Sequence, residues 1–154
     1  MLIRTATSED LYDIIQLNTE LFHEDGGQLN IGVNTAWASQ EGEEYFANYL
    51  KKKDAVVFVA QSGDEQIVGY LAGFVKPDAT WRPVKSVELD SMFVLKEYRS
   101  QGVGTMLVDE FKKWLIPFKV THVAVTAFTQ NERALAFYKK QGFEDFSQTL
   151  EMKL

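Results

Sequence analysis

The chain has 154 residues, of which 45% are hydrophobic and 25% charged, enough apolar material for one packed domain. It contains no cysteine, so disulfide frameworks, zinc–thiolate clusters and cysteine nucleophiles are excluded. A net charge of −6 argues against a nucleic-acid backbone as the main partner, which would be repelled on average, and leaves a cationic substrate open.

Leu2 to Thr7 reads as a first strand. Ser8, followed by E-D-L, is an N-cap signal for a helix to about His23, with Leu11, Ile14, Ile15, Leu17, Leu21 and Phe22 as its apolar stripe. The stretch from Glu24 to Trp37 is rich in Gly and Asn and has no clean period, which predicts a long loop of the kind that is often functional. A second helix is expected from Ser39 to Lys53. Ala55 to Gln61 and Gln66 to Lys76 are strand runs joined by S-G-D-E, an antiparallel hairpin. A fourth strand runs from Val84 to Leu95, followed by the turn R-S-Q-G-V-G and a helix to Ile116, stopped by Pro117. A fifth strand, Val120 to Phe128, leads into a helix from Asn131 to Gln141 with Gly142 as its C-terminal cap. Two short strands, around F-E-D-F and T-L-E-M-K-L, close the chain.

There are no repeats or linker compositions, so residues 1–154 are read as a single α/β domain with a mixed sheet of six to seven strands and about four helices. The strand, helix and strand from 84 to 128 form a crossover whose two strands should lie parallel. The N-terminus lacks a basic segment followed by a long apolar one, and the longest apolar run, A-V-V-F-V-A, is too short to span a bilayer. A soluble cytoplasmic protein with no membrane partner is the expectation. His23 and His122 are the only histidines and lie far apart in the pattern, which supports neither a metal site nor a Ser/His/Asp triad.

The glycine turn joins a strand to a helix, so the first N–H groups of that helix lack internal partners and point outward at the positive end of its dipole, a ready anion site. Gly102 and Gly104 remove side chains where a phosphate would approach, and Ser100 and Thr105 keep the mouth open. Other glycine motifs fail on spacing. No lysine follows Gly104 as a P-loop requires, and position 107, where a dinucleotide fingerprint needs a small third residue, is leucine. Glu88 and Asp90 stand two apart on one strand, about 7 Å along it, on one face. Two carboxylates on a central strand are costly to desolvate, so they should border a wet cleft, where their mutual repulsion can raise one pKa.

The segment Arg99-Ser100-Gln101-Gly102-Val103-Gly104 matches the R/Q-x-x-G-x-G/A motif of the GNAT N-acetyltransferase superfamily, and E-L-D-S-M-F-V resembles that family's fourth strand. Asn131 to Phe143 resembles its N-x-x-A-x-x-x-Y-x-x-x-G-F pattern, and the order of elements is similar along essentially the whole chain. The resemblance implies an acyl-CoA N-acyltransferase fold with a mostly antiparallel sheet and splayed parallel central strands, and acetyl-CoA in the splay. It implies that the pyrophosphate sits on backbone N–H groups of the turn, Gln101 to Thr105, that the pantetheine arm pairs with Met92, Phe93 and Val94, and that Asn131 holds the cofactor from the other wall. It implies Tyr138 as the acid for the departing thiolate, a free N–H near Phe93 for the oxyanion and, by spacing from Arg99, Glu88 as the general base. In that family the first two helices wall the acceptor site, so the acids of H-E-D-G-G with Trp37, Glu41 and Tyr45 would meet a cationic amine.

The function implied is direct transfer of acetyl to a primary amine of a small molecule or peptide, without a metal or an acyl-enzyme. A non-catalytic acyl-CoA sensor, O-acetylation and a longer acyl chain stay open. Members of the family often pair, so a homodimer is open too.

Overall fold

The computed structural model describes residues 1–28 and 32–154. In chain order the elements are β1 (Leu2–Thr5), α1 (Leu11–Gln28), α2 (Trp37–Lys51), β2 (Ala55–Gln61), β3 (Ile67–Val75), β4 (Ser86–Val94), α3 (Val103–Leu115), β5 (His122–Val125) and α4 (Glu132–Lys140). Short 3-10 turns lead into α1 at Ser8–Asp10, follow β4 at Lys96–Tyr98 and end α3 at Ile116–Phe118. The strands form one sheet in the order β1-β2-β3-β4-β5, antiparallel throughout except for the parallel β4–β5 pair.

β2 and β3 are buried almost from end to end, because helices cover both faces of the sheet. On one face α1 and α2 contribute Ile14, Leu17, Phe46 and Tyr49 to a cluster with Val57, Val59, Tyr70, Ala72 and Phe93. On the other, α3 buries Val103, Leu107, Val108, Phe111 and Leu115 against Val56, Phe58, Val68, Leu71, Val87 and Leu89. The helical spacing of the α3 residues is what turns one apolar stripe onto the sheet. The chain enters α1 one residue earlier than Ser8 suggests. Asp10 accepts from the Thr7 N–H at 2.7 Å and takes both guanidinium nitrogens of Arg4, at 2.7 and 2.8 Å, which holds its carboxyl below the ordinary range.

The structure changes three expectations. α1 runs past His23 to Gln28, so Glu24 and Asp25 are helical; of the expected loop, residues 29–31 lie outside the described residues. Gly26 is there for contact, since a Cβ would lie 2.7 Å from that of Val33. The sheet has five strands among the described residues rather than six to seven, and 143–154 adopts no strand. Period-two alternation makes a strand only where backbone groups find a partner. Here the segment is held by side chains instead, with Phe146 under the Arg82 guanidinium at 4.4 Å and Asp145 paired with Lys139 at 3.1 Å. β5 pairs over His122 to Val125 alone, shorter than the expected run. Among the described residues no helix is long and apolar enough to cross a membrane.

Candidate active site

The site begins where β4 loses its neighbour. β4 and β5 are in register from Ser86–His122 to Leu89–Val125, and no pair follows. At the same point the β3–β4 register slips, with Gly73 opposite Leu89 and Ala72 opposite Ser91, so Asp90 is a bulge residue without a partner on β3. Glu88 and Asp90 face α1 and α2 by alternation, Glu88 opposite Phe74 and Asp90 bonded to a residue of α2, and the slip brings Ser91, opposite Ala72, onto the same face. Beyond it Leu95 donates its N–H to Val68 at 2.9 Å, and Phe93 is opposite Tyr70. Antiparallel alternation therefore directs the Phe93 amide to β3 and leaves those of Met92 and Val94 facing the gap. The free N–H groups near Phe93 are thus those of its two neighbours, Met92 and Val94.

The glycine turn lies at the end of this gap. Ser100 and Gly102 both have left-handed backbones, with φ of 60° and 84°. Met106 N–H closes the first bond of α3 on Gly102 O at 3.0 Å, so the N–H groups of Val103, Gly104 and Thr105 have no intrahelical acceptor. The two glycines serve different ends. Open space surrounds a Cβ built on Gly102, whose requirement is conformational, whereas one on Gly104 would lie 3.2 Å from the Phe137 ring of α4. Gln101 bonds Glu97 O at 2.6 Å, and Thr105 Oγ1 accepts from Gln141 at 3.0 Å. Arg99 is turned inward, with Nε on Val94 O at 2.7 Å and Nη2 on Glu24 at 2.9 Å. It ties the turn to β4 and α1.

α1 and α4 meet across the gap. Burial would raise the pKa of Glu24, but hydrogen bonds from Arg99 and Arg133 outweigh it and hold the carboxyl below its ordinary range. Asn131 caps α4 by accepting from Ala134 N–H at 3.0 Å and donates to Asp25 Oδ1 at 3.1 Å. Asp25 is shifted upward, by burial first and the neighbouring Glu24 charge, against the Asn131 bond. Tyr138, 9% exposed between Phe137 and Phe143, has no hydrogen-bond partner among the described residues. Burial, with the charge of Asp25, raises its phenol above the usual range and keeps it protonated at neutral pH.

On the α1–α2 side the gap opens into a cavity of about 330 Å³. Phe22, Trp37, Tyr45 and Phe128 line it with Asp25 and Asp90, and Asn18 and Ser91 lie at its floor. Phe22 stacks on Trp37 at 5.1 Å, and Tyr45 meets Trp37 edge-on. Tyr45 donates to Asp90 Oδ2 at 2.5 Å, and burial followed by that bond pushes its phenol up to about 12. Glu88 is on the same face, but its carboxylate pairs with Lys76 at 3.0 Å and does not line the cavity. Glu41 does not line it either. A second cavity of similar size, between α3, β5 and Phe143, contains none of the candidate residues.

The arrangement sets a wall of aromatic rings and carboxylates, suited to a cation, against an open strand edge ending in unpaired helix N–H groups, suited to an extended chain that carries phosphates. Asn18 and Phe128 were not legible as site residues. Asp25 was legible only as one acid of H-E-D-G-G in an expected loop, whereas it is helical, and Asn18 is one polar residue on an apolar stripe.

The model of a family described as Acetyltransferase (GNAT) family matches residues 11–143. Among curated relatives, an uncharacterized N-acetyltransferase of Methanocaldococcus jannaschii is 26% identical over 93% of this chain, and the match spans 60% of that relative's length. A thialysine N-epsilon-acetyltransferase of Mus musculus is 26% identical over 96% of this chain and 86% of its own. Among solved structures, a tetramutant of a Bacillus halodurans protein superimposes with a TM-score of 0.90 at 22% identity, over all of both chains, which is a likeness of fold.

Proposed function

As this chain belongs to the GNAT acetyltransferase family, we propose that it passes the acetyl group of acetyl-CoA directly to a primary amine at the end of a slender chain, on a small molecule or a peptide. Membership makes it an acetyl-CoA-dependent N-acetyltransferase. The acceptor and the residue roles are the proposed part.

The observation that carries the reading is that the aromatic and acidic cavity meets the open edge of β4 at Asp90 and Ser91. Acetyl-CoA supplies a thioester whose carbonyl carbon is the electrophile. The N–H groups of Val103, Gly104 and Thr105 hold its diphosphate, the left-handed backbone of Gly102 sets the turn that presents them, and the outward amides of Met92 and Val94 pair with its amide-bearing arm. One of those N–H groups also polarises the carbonyl oxygen as it gains charge. Arg99, Ser100 and Gln101 fix the turn, and Asn131 fixes the start of α4 while holding Asp25.

An alkylammonium with pKa near ~10 must lose a proton before it attacks. Asp90 takes that proton, directly or through water, because its carboxylate borders the cavity while that of Glu88 is bound to Lys76. Tyr138 stays protonated and donates to the departing sulfur. Direct transfer, without an acyl-enzyme, is supported by the absence of cysteine from the chain. The thialysine relative supports a terminal amine on an aliphatic stem. A panel of amines, read by release of the coenzyme A thiol, tests the reading. Release should require an amine, and Tyr138→Phe should lower kcat by about 100-fold. Tight acetyl-CoA binding without turnover on any amine would contradict it and favour a sensor.

A further inference from the structure

Two buried polar atoms at the floor of the acceptor cavity have no partner. Asn18, on α1, is 2% exposed. Its Nδ2 donates to the Tyr70 hydroxyl at 2.7 Å, which leaves Oδ1 buried without a donor. Ser91, next to Asp90 on the bulge, has a buried Oγ whose O–H is turned to the Tyr70 phenol and whose lone pairs accept no hydrogen bond. Tyr70 is opposite Phe93 on the neighbouring strand, so its ring is diagonal to Ser91, and the two orphaned oxygens adjoin the same phenol. Buried acceptors are almost always satisfied in folded chains, and a binding site is where that rule is broken for the benefit of a ligand.

We propose that Asn18 Oδ1 and Ser91 Oγ, together with Asp90, form a three-acceptor socket for a primary ammonium and set the preference of this chain for nitrogen over oxygen acceptors. The inference rests on the acetyl-transfer reading above. An ammonium has three N–H donors, one for each acceptor. When Asp90 takes one proton, the neutral amine keeps two N–H groups, held by Asn18 and Ser91, and its lone pair lies where the third N–H was, on the side of Asp90 at the open edge of β4. The nitrogen then bonds to the acetyl carbon as the carbon–sulfur bond breaks; the electron pair leaves on sulfur, to which Tyr138 gives its proton, and the nitrogen loses its second proton through water to the Tyr138 phenolate as the amide forms. An alcohol has one O–H to offer, so at least one buried acceptor stays unpaired, the arrangement by which sites reject near-isosteres most strongly. A secondary amine falls between the two.

Thialysine and its hydroxyl counterpart are the matched probes, used with the full chain and saturating acetyl-CoA. The wild type should prefer the amine by at least about 1000-fold in kcat/KM. Asn18→Leu should raise KM for the amine about 10- to 100-fold, narrow the preference for nitrogen, and leave acetyl-CoA affinity within about twofold. Ser91→Ala should do the same to a smaller degree. Asn18→Asp, which keeps an acceptor in the same position, should restore the low KM where Asn18→Leu does not. Unchanged amine KM and selectivity in Asn18→Leu and Ser91→Ala would overturn the socket while leaving the transferase reading intact. If the wild type acetylated no amine, that reading would fail instead, and calorimetric binding of thialysine to the coenzyme-A-saturated protein would decide the socket alone. An affinity at least about tenfold weaker in Asn18→Leu supports it, and equal affinity refutes it.

Discussion

The two halves of β4 share one strand and have opposite fates. Val87 to Leu89 is paired on both edges, to β3 and to β5, and buries Val87 and Leu89 completely or nearly so. Asp90 to Val94 has no β5 and keeps β3 only from Ser91 onward; it carries the bulge at Asp90 and presents a carboxylate and two backbone amides to the gap. A sheet gains stability from saturated edges, and a site needs unsaturated ones. The difference teaches that the site is made by stopping the β4–β5 pairing, and that the chemistry-bearing residues are those just past the stop.

The largest expected effect tests that division directly. Asp90→Asn, in the free half, should lower kcat/KM for amines by about 10²- to 10⁴-fold. Glu88→Gln, two positions earlier and paired with Lys76, should change it by no more than about threefold. The reverse order would move the base into the paired half and break the comparison.

The paired half should instead show itself in stability. Leu89 is 1% exposed in the α3-side core, so Leu89→Ala should cost about 3 kcal/mol in denaturant unfolding, with acetyl-CoA affinity within about twofold. A loss of affinity larger than the loss of stability would mean that the two halves are not separable.

The smallest effect concerns the carboxylate across the gap. Asp25 has a folded-state pKa raised chiefly by burial, so the folded chain holds that proton more tightly than the unfolded one. Its stabilising contribution is full below the unfolded pKa and is lost as pH rises through the folded one. Asp25→Asn, which still accepts from Asn131, should therefore raise Tm at pH 7 by a few degrees, and the gain should vanish below about pH 4. A lower Tm at neutral pH would show that the charge is needed to hold α4.

Much of this was legible in the sequence, for local reasons. The hairpin of β2 and β3, the parallel β4–β5 pair and the glycine turn follow from patterns a few residues long. What was not legible depends on contacts between distant elements. The bulge at Asp90 is a slip of one residue that β3 reveals and the β4 sequence does not. By simple alternation Glu88 and Asp90 look equivalent, and only the cavity and Lys76 separate them. Gly26 and Gly27 read as a break in α1, yet the helix passes through them because Gly26 meets Val33. The resemblance implies that Asn131 holds the cofactor, and in the structure its side chain is engaged with Asp25 and the start of α4, as that of Arg99 is with Glu24 and Val94. The final residues alternate like a strand but have no strand beside them.

Amide hydrogen exchange along β4, with and without coenzyme A, tests most directly whether the free half is the cofactor's edge. In the free protein the amides of Met92 and Val94 should exchange much faster than those of Val87 and Leu89, and saturating coenzyme A should slow the first pair selectively. Protection at α3 or elsewhere with Met92 and Val94 unchanged would contradict the account.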